Sequence, residues 1–139
     1  MAIEKKIDQK RFEKMVKENT TKIIKLRRNN LELIYGDIII LYSDDASLVY
    51  ARKYFDNVSI IAFNKSGQDK DIKLILPESL QYPNWTANFK NDFSLEDSNN
   101  QLVLKLKPYT FEILTNRWEL FKPNQKKTAL FNESFLILI

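Results

Sequence analysis

The sequence predicts a mainly β protein: an antiparallel β-sandwich of about seven strands with Greek-key connections, preceded by one N-terminal amphipathic α-helix. Three observations carry this reading. Apolar residues in the first thirty positions recur with helical spacing. From residue 31 the period drops to two. Turn-forming clusters then punctuate the chain every 8–12 residues or so, the rhythm of short strands in a sandwich.

The spacing predicts a helix over Arg11–Asn30, where Phe12, Met15, Val16, Ile23 and Leu26 fall on one face. Asp8 is the expected N-cap, and Glu13/Lys17 and Glu18/Lys22 are favourably ordered i,i+4 pairs. Asn29 and Asn30, which tolerate the left-handed conformation, are expected to end it. Strands follow over Ile38–Tyr42, Leu48–Tyr54, Val58–Phe63, Ile72–Leu76, Leu102–Leu106 and Phe111–Leu114. Their turns are Ser43-Asp44-Asp45, Asp56-Asn57, Asn64-Lys65-Ser66-Gly67 and Asp97-Ser98-Asn99-Asn100. The alternation Leu-Lys-Leu-Lys from Leu104 marks a sheet wet on one face. Pro77–Asn91, containing Tyr82, Pro83 and Trp85, reads as an irregular connection.

The chain therefore divides into a helix over 1–30, a sandwich over 31–116 and a tail over 117–139. Phe135–Ile139, uncharged and free of proline, is expected to pair with a sheet edge or a partner chain.

Composition narrows function by exclusion. The 139 residues include no histidine, no cysteine and two glycines, Gly36 and Gly67. Zinc sites of the usual ligand types, Cys-His or Ser-His-Asp nucleophiles, disulfides and glycine-rich phosphate loops are all excluded. No apolar run approaches the roughly 20 residues of a membrane helix, so no membrane partner is expected. Met-Ala-Ile-Glu-Lys-Lys at the start carries no apolar core behind its charges, so no signal peptide is expected. No compartment follows from this.

The net charge of +4 is uneven: residues 1–30 hold ten Lys/Arg against four Asp/Glu. That clustering invites a nucleic-acid reading. Glu13 and Glu18 interrupt the basic residues, and the apolar face demands burial, so a solvated helix surface is the expectation and no nucleic-acid partner is assigned. Asp44-Asp45, Asp69/Asp71 and Glu96-Asp97 are the carboxylate pairs left for acid–base or calcium chemistry. All three fall in expected turns, where Asp binds nearby backbone amides. No catalytic residue, metal site or cofactor is assigned. Tyr82 and Trp85, with Trp118, could stack on a sugar, and Trp85 is the best single candidate.

Three stretches together resemble one family. Ile24-Lys-Leu-Arg-Arg-Asn-Asn-Leu-Glu-Leu-Ile-Tyr-Gly-Asp37 is similar to the alpha-amylase-superfamily junction where the last barrel helix ends in "LR", then "NPAL" and "YGD". Ser47–Phe55 followed by Val58–Ser66 resembles the next hairpin, an "F-x-R" strand and a "hydrophobic-N-x-S" strand. Leu106-Lys-Pro-Tyr-Thr-Phe-Glu-Ile-Leu114 resembles the closing "L-x-P-Y-x-x-x-I-L" strand. The order and spacing agree from about Asp8 to Thr115, with a neopullulanase or cyclomaltodextrinase flavour.

The resemblance implies a last barrel helix followed by the C-terminal sandwich of a glycoside hydrolase of family 13. The family cleaves alpha-glucosidic bonds with an Asp nucleophile, a Glu acid and a supporting Asp, all on barrel strands that would precede residue 1. None carries over to this chain. The expected role is non-catalytic: stabilising the catalytic barrel, with Phe12, Val16, Ile23 and Leu26 in the domain interface and weak alpha-glucan contact at Tyr82 and Trp85. Away from a barrel, the helix face is expected to fold back on the sandwich or form a homodimer, through that face or the C-terminal strand. The alternative is a stand-alone carbohydrate-binding sandwich. Two departures stand out: Asn29-Asn30-Leu31-Glu32 replaces the "NPAL" proline motif, and the chain continues for 24 residues past Thr115.

Overall fold

The computed structural model describes residues 2–96 and 99–117, with side chains from residue 8 onward. Helix α1 spans Ala2–Asn29, nine residues longer at its start than the spacing suggested. Asp8 therefore sits inside the helix and caps nothing. The extension follows from composition: Ala2 to Lys10 contains no Gly or Pro and is rich in strong helix formers. Lys14 and Glu18 form an ion pair at 4.0 Å along its surface. The helix ends without a left-handed asparagine. Instead Asn30 Nδ2 donates to the Leu26 carbonyl at 2.7 Å, occupying one of the last free acceptors.

A single turn, α2 (Glu32–Tyr35), leads into the sheets. Gly36 follows in an extended conformation, with φ −70°. A Cβ there would meet Glu32 O at 2.4 Å and Lys53 N at 3.0 Å, so the glycine is required by close approach of backbone to backbone.

Eight strands form two antiparallel sheets. They are β1 (Asp37–Ser43), β2 (Ser47–Tyr54), β3 (Asn57–Asn64), β4 (Lys70–Ile75), β5 (Thr86–Ala87), β6 (Asp92–Glu96), β7 (Gln101–Leu106) and β8 (Thr110–Thr115). The order is β1-β2-β3-β8-β5 in one sheet and β4-β7-β6 in the other, so the chain crosses repeatedly between sheets. Between them lies one apolar core, with Val49, Ala51, Val58, Ile60, Ala62 and Leu114 facing Ile72, Leu76, Leu102, Leu104 and Leu106.

Two strands lie where the sequence predicts none. β5 is two residues long, too short to show a period, and is fixed by Thr115 and Leu114 opposite it. β6 does alternate, with Phe93 and Leu95 packed on the core between exposed Asp92, Ser94 and Glu96. Asp71 lies within β4 and so is not a turn residue. The expected C-terminal strand, Trp118 and Asp97 lie outside the described residues.

Candidate functional site

Because β-strands alternate, the register assigns each residue to one of two faces. On the five-stranded sheet the outward rows are Ile40–Tyr50–Ile61–Ile113 and Phe63–Phe111, with Ile38–Arg52–Ser59 beside them. β3 is apolar on both sides, so this sheet presents a second apolar surface away from the core. Ile38, Ile40 and Phe63 are exposed, at 61%, 59% and 40%. On the three-stranded sheet the corresponding rows read Asp71–Lys105–Asp92 and Lys73–Val103–Ser94. That face is mostly polar, with Val103 and the exposed Ile75 as exceptions, and a hollow of about 500 Å³ at its rim mixes Asp69, Asp71 and Asp92 with Lys90, Lys105 and Lys107.

The C-terminal part of α1 lies over the apolar face. Ile23 and Arg27, with Leu33, Tyr50, Arg52, Ile61, Phe63, Phe111 and Ile113, line a groove of about 210 Å³. Leu26 is half-buried, whereas Phe12 and Val16 are exposed at 61% and 45%. The structure thus brings Ile23 to the sheet and leaves Phe12 and Val16 facing solvent along the free part of the helix. The expected folding back is confined to the last turns.

Two buried carboxylates hold this junction. Glu32, fully buried, accepts the Ser59 hydroxyl at 2.5 Å and pairs with Arg117, which also binds Asn30. Thr86 Oγ1 donates to the Arg117 carbonyl at 2.8 Å, tying the end of the sandwich to the end of the helix. Glu112, also fully buried, accepts the amides of Phe89, Asn91 and Ile113, each at 2.8 Å. It thereby shapes the loop that meets the helix: Lys22 donates to Asn88 O and lies 4.7 Å over the Phe89 ring. Sequence reasoning missed both. The signal for Glu32 was its occupation of the motif position where the resemblance expects "NPAL".

Tyr82 and Trp85 are brought together edge to face, 6.2 Å apart at 85°. Trp85 Nε1 donates to Tyr82 O at 3.1 Å, and both rings pack against the core while half-buried. A different aromatic group is more open. Tyr35, Tyr54 and Phe55 form a chain with centroids 5.8 and 4.7 Å apart, and Tyr35 and Phe55 are 64% and 78% exposed. Phe55 occupies the left-handed region at φ 54° in the β2–β3 turn. That conformation costs a non-glycine residue about 1–2 kcal/mol. One edge-to-face aromatic pair returns a comparable amount, about 0.5–1.5 kcal/mol, and the two-residue β2–β3 hairpin calls for a positive φ at its first turn residue.

Asp44 does what turn chemistry predicts. Its Oδ1 accepts the amides of Ala46 and Ser47 at 2.8 and 2.7 Å. Its Oδ2 takes the Tyr42 hydroxyl at 2.6 Å and Lys70 at 2.9 Å, joining the two sheets. The Tyr42 hydrogen bond, then Lys70, hold the Asp44 carboxyl well below the usual carboxylate range, while Asp44 raises both Tyr42 and Lys70. Among the described residues no three His, Cys, Asp or Glu side chains converge as a metal site, and no described helix is long and apolar enough to cross a membrane.

An N-terminal helix, a glycine-tight junction and a two-sheet antiparallel sandwich define the domain. The chain belongs to the alpha-amylase C-terminal domain family, which matches residues 36–114. The matched family is the C-terminal domain and not the catalytic barrel. Solved structures agree in fold. The acarbose-soaked debranching enzyme of Nostoc punctiforme matches at TM-score 0.56 and 22% identity, over 67% of this chain and 18% of that one. The alpha-amylase of Geobacillus thermoleovorans with acarbose matches at 0.58 and 24%, over 68% and 21%. AmyP with maltose matches at 0.63 and 10%, over 75% and 21%. The chain thus spans about a fifth of the length of these structures. No curated protein matches it.

Proposed function

We propose that this chain is the non-catalytic C-terminal sandwich of a glycoside hydrolase acting on alpha-glucans, and that it stabilises the catalytic barrel by covering apolar barrel surface. The observation that carries this reading is the apolar outer face of the five-stranded sheet, continuous with the Ile23–Val16–Phe12 stripe of α1. Ile61 and Ile113 already lie beneath α1 and α2. Ile38, Ile40 and Phe63 on the sheet and Phe12 and Val16 on the helix are exposed, and an exposed apolar patch of this kind marks an interaction site. A barrel seated against both would shield the helix stripe and the sheet rows together. Arg27 and Arg52 at the groove edge would meet its polar rim.

Calorimetry of the parent enzyme tests this. Ile40→Asp, at an exposed position of that face, is expected to lower barrel and sandwich melting together, and Lys73→Glu on the opposite face to leave both unchanged. A barrel that melts at its original temperature beside an Ile40→Asp sandwich would sink the reading.

A further inference from the structure

We propose that the segment Phe135–Ile139 adds to the open side of β1 in its own chain and extends the five-stranded sheet by one strand. This goes beyond barrel docking and does not rest on it: docking uses the face of that sheet, and the added strand uses its edge.

The sandwich has four sheet edges, and three of them are blunted. β4 carries Lys70, Asp71 and Lys73, β6 carries Asp92 and Glu96, and β5 is two residues long. Charge and short length are the devices that keep an edge from pairing. β1 has neither, since Ile38–Tyr42 contains no charge and no proline. A bulge between Ile40 and Tyr42 twists its far end, yet Asp37–Ile40 keeps a regular register with Tyr50–Lys53. Among the described residues no strand lies on its other side. Alternate amides and carbonyls there are a template for a further strand. Both faces of β1 are also short of cover. Ile38 and Ile40 are exposed on the outer side, and Ile39 and Leu41 reach the core while remaining half-buried.

Composition selects the occupant. A strand joining this sheet meets the core on one side and the apolar outer surface on the other, so it must be apolar on both, as β3 is. The sequence holds two uninterrupted runs of five apolar residues, Ile38–Tyr42 itself and Phe135–Ile139. The connection is long enough. Thr115, Ser59, Arg52 and Ile38 are successive neighbours across the sheet, so the chain passes Arg117 at the end where β1 begins. Three strand spacings make that crossing about 14 Å. Residues 118–134 number 17 and span up to about 60 Å when extended. Tethering also holds the segment at a high effective concentration near the edge.

Amide exchange of the full chain, followed by NMR, tests the proposal. The β1 amides that point away from β2 are expected to exchange at least about tenfold more slowly in the native chain than in Ile137→Lys, while Leu102–Leu106 exchange alike in both. Equal rates at β1 overturn the proposal. A spin label on Asn132→Cys, in a chain with no other cysteine, reads the same contact without altering the segment. It decides the matter even where Ile137→Lys loosens the whole sandwich. The label is expected to broaden the signals of Ile38–Tyr42 and to spare Lys70–Ile75 and Asp92–Glu96. Broadening centred on α1 or on another edge overturns the proposal. So does β1 broadening that arises between molecules, in a mixture of spin-labelled and isotope-labelled chains, because a second copy then supplies the strand.

Discussion

The outward faces of the two sheets begin from the same alternation and diverge in chemistry. On the three-stranded sheet Lys105 stands between Asp71 and Asp92, each polar group facing water with an opposite charge across the strand. On the five-stranded sheet the central row is Ile40, Tyr50, Ile61 and Ile113, and the last turns of α1 together with α2 lie over part of it. One sheet ends at solvent. The other is a middle layer, with the core on one side and an apolar surface on the other. The difference separates residues packed between the two sheets from residues on a second apolar surface.

The sharpest contrast is between inward and outward residues. Leu104→Ala, wholly buried between the sheets, is expected to cost about 2–5 kcal/mol in urea unfolding. A loss below 1 kcal/mol would mean that the core is not shared as described. Next comes the seam between helix and sandwich. Arg117→Ala leaves the buried Glu32 carboxylate without its cation, and should cost about 2 kcal/mol. That figure lies under the range for fully buried pairs because the arginine side chain is 26% exposed. Arg117→Lys should restore part of the loss, and equal stability of all three chains would break this account of the seam.

On the apolar outer face, Phe63→Ser is expected to change the stability of the free chain by no more than about 1 kcal/mol, since the ring is 40% exposed. It should also lower the fluorescence of a bound naphthalene sulfonate dye, which Lys73→Ser on the other sheet should not do. Equal dye response from both variants would erase the distinction between the faces.

The smallest effect belongs to the polar tie between the sheets. The folded Asp44 carboxyl titrates below its unfolded value, so its contribution is present above about pH 4 and is lost as pH falls. Lys70 and Tyr42 are raised, so theirs is present at neutral pH and is lost above about pH 10. Unfolding midpoints of the native chain should therefore decline from pH 6 to pH 2.5 more steeply than those of Asp44→Asn. Parallel profiles would assign the acid sensitivity elsewhere.

Much of this was legible in the order of residues. The helix, six strands and the Tyr35-Gly36-Asp37 junction follow from period and turn chemistry, and even the contrast of faces is written there. β3 runs apolar through Val58–Phe63 because both its sides are covered, whereas β7 alternates leucine with lysine because one side is wet. What was hidden depends on distant partners. β5 exists only because Thr115 and Leu114 lie opposite, and Glu112 reads as a surface carboxylate until the Phe89 and Asn91 amides converge on it. Period also misses backbone sign: nothing around Phe55 announced a left-handed residue.

The contact at Gly36 has a practical consequence for anyone moving this domain between enzymes. With 2.4 Å between a hypothetical Cβ and Glu32 O, the turn of α2 and the first strand form one interlocked piece. A splice placed at the Tyr-Gly-Asp motif would sever Glu32 from Ser59 and Arg117 and disturb that fit. The natural cut for a chimera therefore lies upstream, within the exposed turns of α1, so that the sandwich travels with the last stretch of its own helix.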